Sequence, residues 1–96
     1  MTAGEQFAPE LEALVGQQVV VDTKAPFVYI GTLDAVHKDS LRLRDVDVHD
    51  TRESTSSVDR YLLDAVKYGV RPNRRVAYVL TREIVSISPL SDVVLY

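Results

Sequence analysis

A cluster of arginines is the first group of residues in this sequence with the chemistry to bind a ligand. It consists of Arg71, Arg74, Arg75 and Arg82. Arginine side chains contact phosphate oxygens, so one hypothesis is a phosphate-binding surface. The other is a set of solvated arginines that balance fourteen acidic residues. The net charge of −3 and the pI near 5.2 favour the second hypothesis, since a general polyanion-binding protein usually carries a basic surplus.

Two carboxylates and an imidazole form the second group. Asp45, Asp47 and His49 recur at every second position, which is the period of one face of a strand. Such a set has the chemistry of a divalent metal site and, with it, of a metal-dependent hydrolase. The alternative is the water-facing side of a strand. We expect that alternative and no metal, because the pattern fixes no fourth ligand.

A run of hydroxyl side chains between residues 54 and 57 follows His49. A serine nucleophile needs a sharp strand–turn–helix that exposes it, and this segment has no such pattern. A serine-rich loop before a helix is more simply a helix cap. The chain also contains no cysteine. We therefore expect neither an enzyme nor a bound cofactor.

Alternating apolar residues and turn signals predict a helix followed by five strands. The helix is expected at Pro9–Val15, with Gly16 as its left-handed cap. Gly31 lies in the middle of the second strand, where it permits a sharp bend or bulge. The third strand is expected to alternate strictly between apolar and charged residues, and a very short turn at 81–82 joins the last two. The predicted strands are Gln17–Thr23, Phe27–Val36, Leu41–Val48, Arg75–Leu80 and Glu83–Ser88.

An insertion of about residues 50–74 separates the third and fourth strands. Within it, Ser57–Tyr68 is predicted to be an amphipathic helix that begins at a capping box of Ser56 and Asp59 and ends at Gly69 and Pro72. Its apolar stripe either packs on the protein's own sheet, which we favour, or forms a surface for a partner. The stripe consists of Val58, Tyr61, Leu62, Ala65 and Val66.

The order of these elements resembles that of the Sm-like (LSm) small β-barrels. The resemblance covers about residues 9–48 and 74–88. It rests on Leu14-Val15-Gly16 before a valine-rich strand, on Gly31-Thr32-Leu33, and on the leucines at 41 and 43 with Asp45. It implies a mainly β, single domain over residues 1–96. The expected fold is a strongly bent five-stranded antiparallel barrel with an N-terminal helix and a second helix inserted between strands three and four.

The resemblance also implies where RNA would bind. In the family, the turn after strand two usually carries an Asp, an aromatic or His, an apolar residue and an Asn, whose amide reads a uracil edge. Here that turn is His37-Lys38-Asp39-Ser40 and has no Asn. The family's Arg-Gly pair before strand five corresponds to Leu80 and Thr81, with Arg82 one step later. The nucleic-acid contacts that follow are Lys38, Asp39, Ser40 and Arg82, without specificity for uridine.

Family members assemble into rings, so we expect a homo-oligomeric ring of six or seven copies that associates with single-stranded RNA. The alternative is an Sm-like oligomer that serves as a scaffold for protein partners and binds no RNA. No apolar run approaches the ~20 residues that span a bilayer. The N-terminus lacks the basic and apolar regions of a secretory signal. A cytoplasmic protein without a membrane partner is therefore expected.

Overall fold

Five strands form one antiparallel sheet in the computed structural model, which describes residues 9–53 and 57–94. Along the sheet the order is β4-β3-β2-β1-β5, so β4 and β5 are its two edges. The five predicted strands are confirmed along the chain, and their ends differ from the predicted ones by at most two residues. The strands are β1 (Gln18–Thr23), β2 (Phe27–Val36), β3 (Ser40–Asp50), β4 (Arg74–Leu80) and β5 (Ile84–Pro89).

The N-terminal helix is shorter at its end than the sequence predicted. Residues 9–12 are helical, and the N–H of Ala13 donates to the carbonyl of Pro9 at 3.3 Å. From Leu14 onwards the chain tightens into bonds between residues three apart, as helix ends often do. Gly16 then adopts a φ of 91°, the left-handed geometry expected of it. Its N–H donates to the carbonyl of Leu33 at 2.8 Å, which ties the helical segment to β2.

A bulge bends the sheet where Gly31 of β2 meets β3. The pairing register shifts by one residue between Ile30 and Thr32, so Asp45 and Val46 both lie opposite Gly31. A methyl group on Gly31 would stand 3.1 Å from a methyl of Val46 and 3.1 Å from the carbonyl oxygen of the residue before Asp45. The predicted bend at Gly31 is therefore confirmed, and its cause is the close approach of the neighbouring strand.

The same bulge makes the prediction of strict alternation along β3 wrong. Leu41 and Leu43 are buried at odd positions, but the next buried residue is Val46. Asp45 is the extra residue, with a φ of 50° and an exposed side chain. An inserted residue exchanges the two faces of a strand, so the inward positions change from odd to even at this point.

Both faces of the sheet bury apolar side chains. On one face, the core is closed by Leu11 and Leu14 of the N-terminal segment. On the other face, the core includes side chains from the insertion and from the C-terminal segment. Successive valines of β1 point to opposite faces. All three are almost fully buried because both faces are covered. The first core consists of Val19, Val21, Leu33, Leu41, Leu43, Val46 and Val79. The second consists of Val20, Val28, Ile30, Ala65 and Leu90.

The inserted helix α1 (Val58–Tyr68) covers the second face. Ser57 is its N-cap, and the Oγ of Ser57 accepts a hydrogen bond from the N–H of Arg60 at 3.1 Å. The cap predicted at Ser56 lies outside the described residues. Gly69 ends the helix with a φ of 89°. All five residues of the predicted apolar stripe belong to the second core or pack against it, so the hypothesis that the stripe packs on its own sheet is confirmed.

No helix within residues 9–53 and 57–94 is long and apolar enough to cross a membrane.

Two substitutions at the bulge should change stability in opposite directions. Gly31→Ala should lower the free energy of unfolding by about 1–3 kcal/mol, because the new methyl group must displace the main chain of β3. Asp45→Gly should raise it by about 0.5–1 kcal/mol, because glycine adopts a positive φ without a steric penalty. Urea denaturation measures both values. If both variants changed the free energy of unfolding in the same direction, the bulge geometry would be contradicted.

Candidate nucleic-acid interface

The turn between β2 and β3 meets the turn between β4 and β5 at one end of the sheet. The N–H of Thr81 donates to the carbonyl of Asp39 at 2.9 Å, and Ser40 pairs with Leu80 across the two strands. This places Asp39 and Arg82 on the walls of one cleft of about 310 Å³. We call it the turn cleft, and it is lined by Asp39, Leu80, Thr81 and Arg82.

The turn between β4 and β5 is a single 3₁₀ turn, Thr81–Glu83. It connects the two edge strands and therefore crosses the open side of the sheet. At its far end the carbonyl of Glu83 accepts a hydrogen bond from the N–H of Lys24 at 2.9 Å. Lys24 lies in the turn between β1 and β2 and was not among the predicted contact residues. It lies close to the 3₁₀ turn because β1 pairs with β5, and no local sequence pattern reveals that pairing.

The four predicted contact residues do not all line the turn cleft. Asp39 and Arg82 do, whereas Lys38 on the same turn and Ser40 at the start of β3 lie outside the cleft lining. Lys38, Asp39 and Arg82 are exposed, and Ser40 is half-buried. The guanidinium of Arg82 offers a fork of donors, while an ionised Asp39 only accepts hydrogen bonds. The cleft therefore combines one cationic donor with one anionic acceptor.

The predicted arginine cluster is spread over the molecule. Arg74 begins β4 and Arg82 follows its end, so the length of a seven-residue strand separates them. At about 3.3 Å per residue that is roughly 20 Å. Arg71 lines a different cleft, beside α1. The four arginines are therefore not one phosphate-binding surface, and of the four only Arg82 lies at the turn cleft.

Asp47 and His49 hold the inserted helix against β3. The hydroxyl of Tyr61 donates to Asp47 at 2.8 Å, and the ring of Tyr61 stacks on His49 with the ring centres 3.9 Å apart. Asn73 adds a bond from its amide nitrogen to Asp47 at 3.2 Å. Asp45 belongs instead to the bulge and pairs with the neighbouring arginine. In the described part of the chain, no three His, Cys, Asp or Glu side chains are grouped to hold a metal ion.

The phenol of Tyr61 is kept neutral by this environment. Burial between α1 and β3 raises its pKa well above the ordinary value of 10.0, and the hydrogen bond to Asp47 raises it further. Deprotonation would remove the O–H group that donates to Asp47 and would place a phenolate beside a carboxylate. The contact between Tyr61 and Asp47 therefore stabilises the docked helix as long as Tyr61 keeps its proton.

The sequence matches no protein-family model and no curated protein. Solved structures are similar in fold. An Sm protein of Pyrococcus abyssii in complex with a uridine heptamer matches with a TM-score of 0.58 and 16% identity, over 84% of this chain and 93% of that one. A chain of the NatC complex bound to CoA matches with a TM-score of 0.56 and 20% identity, over 82% of each chain.

These similarities, together with the strand order and the bend at Gly31, identify the fold as an Sm-like barrel. The predicted fold class is thereby confirmed, including the helix inserted between β3 and β4. At these identities the likeness defines the fold alone. The function has to be argued from the residues of this chain.

The link between Tyr61 and Asp47 predicts a dependence of stability on pH. The raised pKa of Tyr61 means that the folded protein holds the phenolic proton more tightly than the unfolded chain does. The stabilisation is complete below the unfolded value of 10.0 and is lost as the pH rises above it. At about pH 9 to 11, on either side of the ordinary tyrosine pKa, Tyr61→Phe should therefore lose stability less steeply than the natural protein. Tyr68→Phe on the same helix is the control, and equal slopes for Tyr61→Phe and the natural protein would contradict the expectation.

Proposed function

We propose that this chain forms an Sm-like ring that binds single-stranded RNA at the turn cleft without specificity for uridine. The observation that carries the proposal is the convergence of Asp39 and Arg82, from two separate turns, on one cleft of this fold. A protein of similar fold is in complex with a uridine heptamer, which supports RNA as the ligand. The proposal makes the chain a binding module rather than an enzyme.

The chemistry of the turn cleft favours contacts that are not specific to one base. Arg82 pairs with a phosphate or stacks on a base, and Lys38 adds a second cation on the neighbouring turn. Asp39 accepts hydrogen bonds from any base that presents an N–H group, and the hydroxyl of Ser40 both donates and accepts. The turn offers no side-chain amide to donate and accept together along a uracil edge. We therefore propose moderate affinity with little preference among bases.

The two edge strands support the ring. The N–H groups of Asn73 and Thr81, on either side of β4, both donate towards β3: the first to β3 itself and the second to the turn that precedes β3. In an antiparallel ladder the N–H groups alternate in direction, so the even-numbered residues of β4 direct theirs away from β3. Exposed apolar side chains on β4, and Val85 on β5, accompany these open edges. Pairing β4 of one copy with β5 of the next would satisfy both edges, and such a head-to-tail contact ends only when a ring closes.

The second candidate function is an oligomeric scaffold for protein partners without RNA binding. Two observations favour it: the net charge of −3, and the likeness to a chain of the NatC complex, which is a multi-subunit assembly by its name. Asp39 and Glu83 also reduce the positive potential that Lys38 and Arg82 create near the turn cleft. The scaffold and the RNA-binding protein are separated by whether any single-stranded RNA binds at physiological salt.

Arg82→Ala should weaken binding of a mixed-sequence RNA 10-mer by about 10- to 150-fold, because a charge-assisted hydrogen bond to phosphate is lost. Each phosphate contact removed should also reduce the slope of log affinity against log salt by about 0.7 for a single strand. Arg60→Ala on α1, which removes another exposed cation, is the matched control. Fluorescence anisotropy with oligo-U, oligo-A and the mixed strand measures all three. Tight, uridine-selective binding would contradict the missing amide, and no binding of any strand would favour the scaffold.

The ring predicts a mass of six or seven times 10.7 kDa by light scattering. Val76→Pro should reduce that mass, because it removes an N–H group that points away from β3 and places a ring on the edge. Val76→Ala shortens the same side chain but keeps the N–H, so it isolates the main-chain effect. A measured mass of 10.7 kDa for the natural protein, that of one chain, would contradict the ring. A ring that survives Val76→Pro unchanged would place the contact elsewhere.

A further inference from the structure

A surface of aromatic rings and guanidinium groups lies on the outer face of β3 and β4, beside the turn cleft. Its centre is Tyr78, whose side chain is 59% exposed on an edge strand. The neighbouring positions Ala77 and Val79 pack with the first core, so Tyr78 points away from that core. The ring of His37 lies with its centre 6.3 Å from that of Tyr78, and the two planes are inclined by 30°.

Arginine side chains complete this surface. Arg42 is the cross-strand partner of Tyr78, and its guanidinium carbon lies 5.9 Å from the centre of the Tyr78 ring. Asp34 forms an ion pair with this guanidinium, with 3.3 Å between its carboxylate and the Nε of Arg42. Arg44 approaches the same carboxylate at 3.5 Å. Asp45 also lies 3.4 Å from a terminal nitrogen of Arg44, so two acids face the two arginines and balance their charge.

Arg42 keeps its terminal nitrogens free for a ligand, because only its Nε approaches Asp34 and its side chain is 40% exposed. Arg44, which is 48% exposed, uses its Nε for Asp34 and one terminal nitrogen for Asp45. The terminal nitrogens of a guanidinium bind phosphate oxygens. An exposed aromatic ring beside a guanidinium is the combination on which proteins stack the bases of single strands. The surface therefore has a group for the base and a group for the phosphate.

The surface continues the turn cleft along the same pair of strands. Tyr78 lies two residues from Leu80, which lines the cleft, and the step along a strand is about 7 Å for two residues. That is about the length of one nucleotide in an extended strand. His37 belongs to the turn that carries Asp39. A single-stranded RNA that contacts Arg82 would therefore place its next base over Tyr78.

We propose that Tyr78, with His37 and Arg42, is a base-stacking and phosphate-binding site for the nucleotide adjacent to the one in the turn cleft. The site deepens the RNA-binding function proposed above and rests on it. It is also compatible with the ring, because strand pairing uses the in-plane main-chain groups of β4 whereas the ring of Tyr78 projects from the face of the sheet. Stacking accepts every base, which agrees with binding that is not specific for uridine.

A tryptophan introduced by the substitution Tyr78→Trp tests the stacking directly, because the chain contains no other tryptophan. The fluorescence of this variant should fall in a saturable manner as a mixed-sequence RNA 10-mer is added, with the same midpoint as anisotropy. The control is Tyr68→Trp, at a tyrosine that is 76% exposed on α1. Its fluorescence should not change. A constant signal from the Tyr78→Trp variant during saturable binding would overturn the site.

Affinities of further variants distinguish stacking from a structural role. Tyr78→Ala should weaken binding of the 10-mer about 5- to 100-fold, the range for the loss of one stacked base. Tyr78→Phe, which keeps the ring, should bind within about twofold of the natural protein, since the stacking face is retained. Arg42→Gln should weaken binding and reduce its salt dependence. Light scattering on each variant shows whether the oligomer is retained. If Tyr78→Ala alters the oligomer, the fluorescence of the Tyr78→Trp variant decides whether RNA stacks at this position.

The outcomes separate this site from the function on which it rests. If the natural protein binds the 10-mer and Arg82→Ala weakens it, but Tyr78→Ala binds normally, the stacking site is wrong and the proposed function stands. If the natural protein binds no single-stranded RNA, the proposed function fails, and the site fails with it. Loss of affinity in Tyr78→Ala with full affinity in Tyr78→Phe supports both.

Discussion

The close approach of β3 to Gly31 is the constraint on which the rest of this structure depends. With no side chain at Gly31, the main chain of β3 comes within reach of β2, and Asp45 adds the residue that lets the two strands bend together. A flat sheet of five strands would keep β4 and β5 at opposite edges. Because the sheet bends, the short turn Thr81–Glu83 can join those edges and contact the turns at Asp39 and Lys24 on the way. The turn cleft is therefore a consequence of the bend.

The inserted helix adds a second core to a domain that would otherwise have a thin one. A chain of 96 residues buries only about 60–65% of the surface that its unfolded form exposes, so covering the outer face of β1 and β2 increases the apolar area removed from water. The helix is fixed by more than apolar contact, since Tyr61 bonds to Asp47 and stacks on His49. These polar contacts specify where along β3 the helix lies, which an apolar stripe alone does not.

The sequence predicted the secondary-structure elements well and the contacts between them poorly. Periodicity revealed the five strands and α1, and a glycine within a strand pointed to the bend, because each of these signals is local. The change of face at Asp45 was missed because the two apolar alternations on either side of it look continuous when read along the chain. Tyr61 and Asp47 are fourteen residues apart, and His37 and Tyr78 come together only through the pairing of β3 with β4. Contacts of this kind depend on register, which a single sequence does not display.

An acidic chain can hold RNA only where its cations are grouped, and here the grouping is produced by the sheet and not by the sequence. The arginines that are neighbours along the chain, at 71, 74 and 75, are separated from Arg82 by most or all of β4. Arg42 lies far from Arg82 in sequence, yet its pairing with Tyr78 places it near the end of β4 that Arg82 follows. The insertion begins at the opposite end of β3, after Asp50. The two ends of one bent strand thus differ: one anchors the helix that completes the fold, and the other carries the groups of the proposed RNA site. The contacts that fix the inserted helix and the proposed RNA contacts therefore use separate parts of β3.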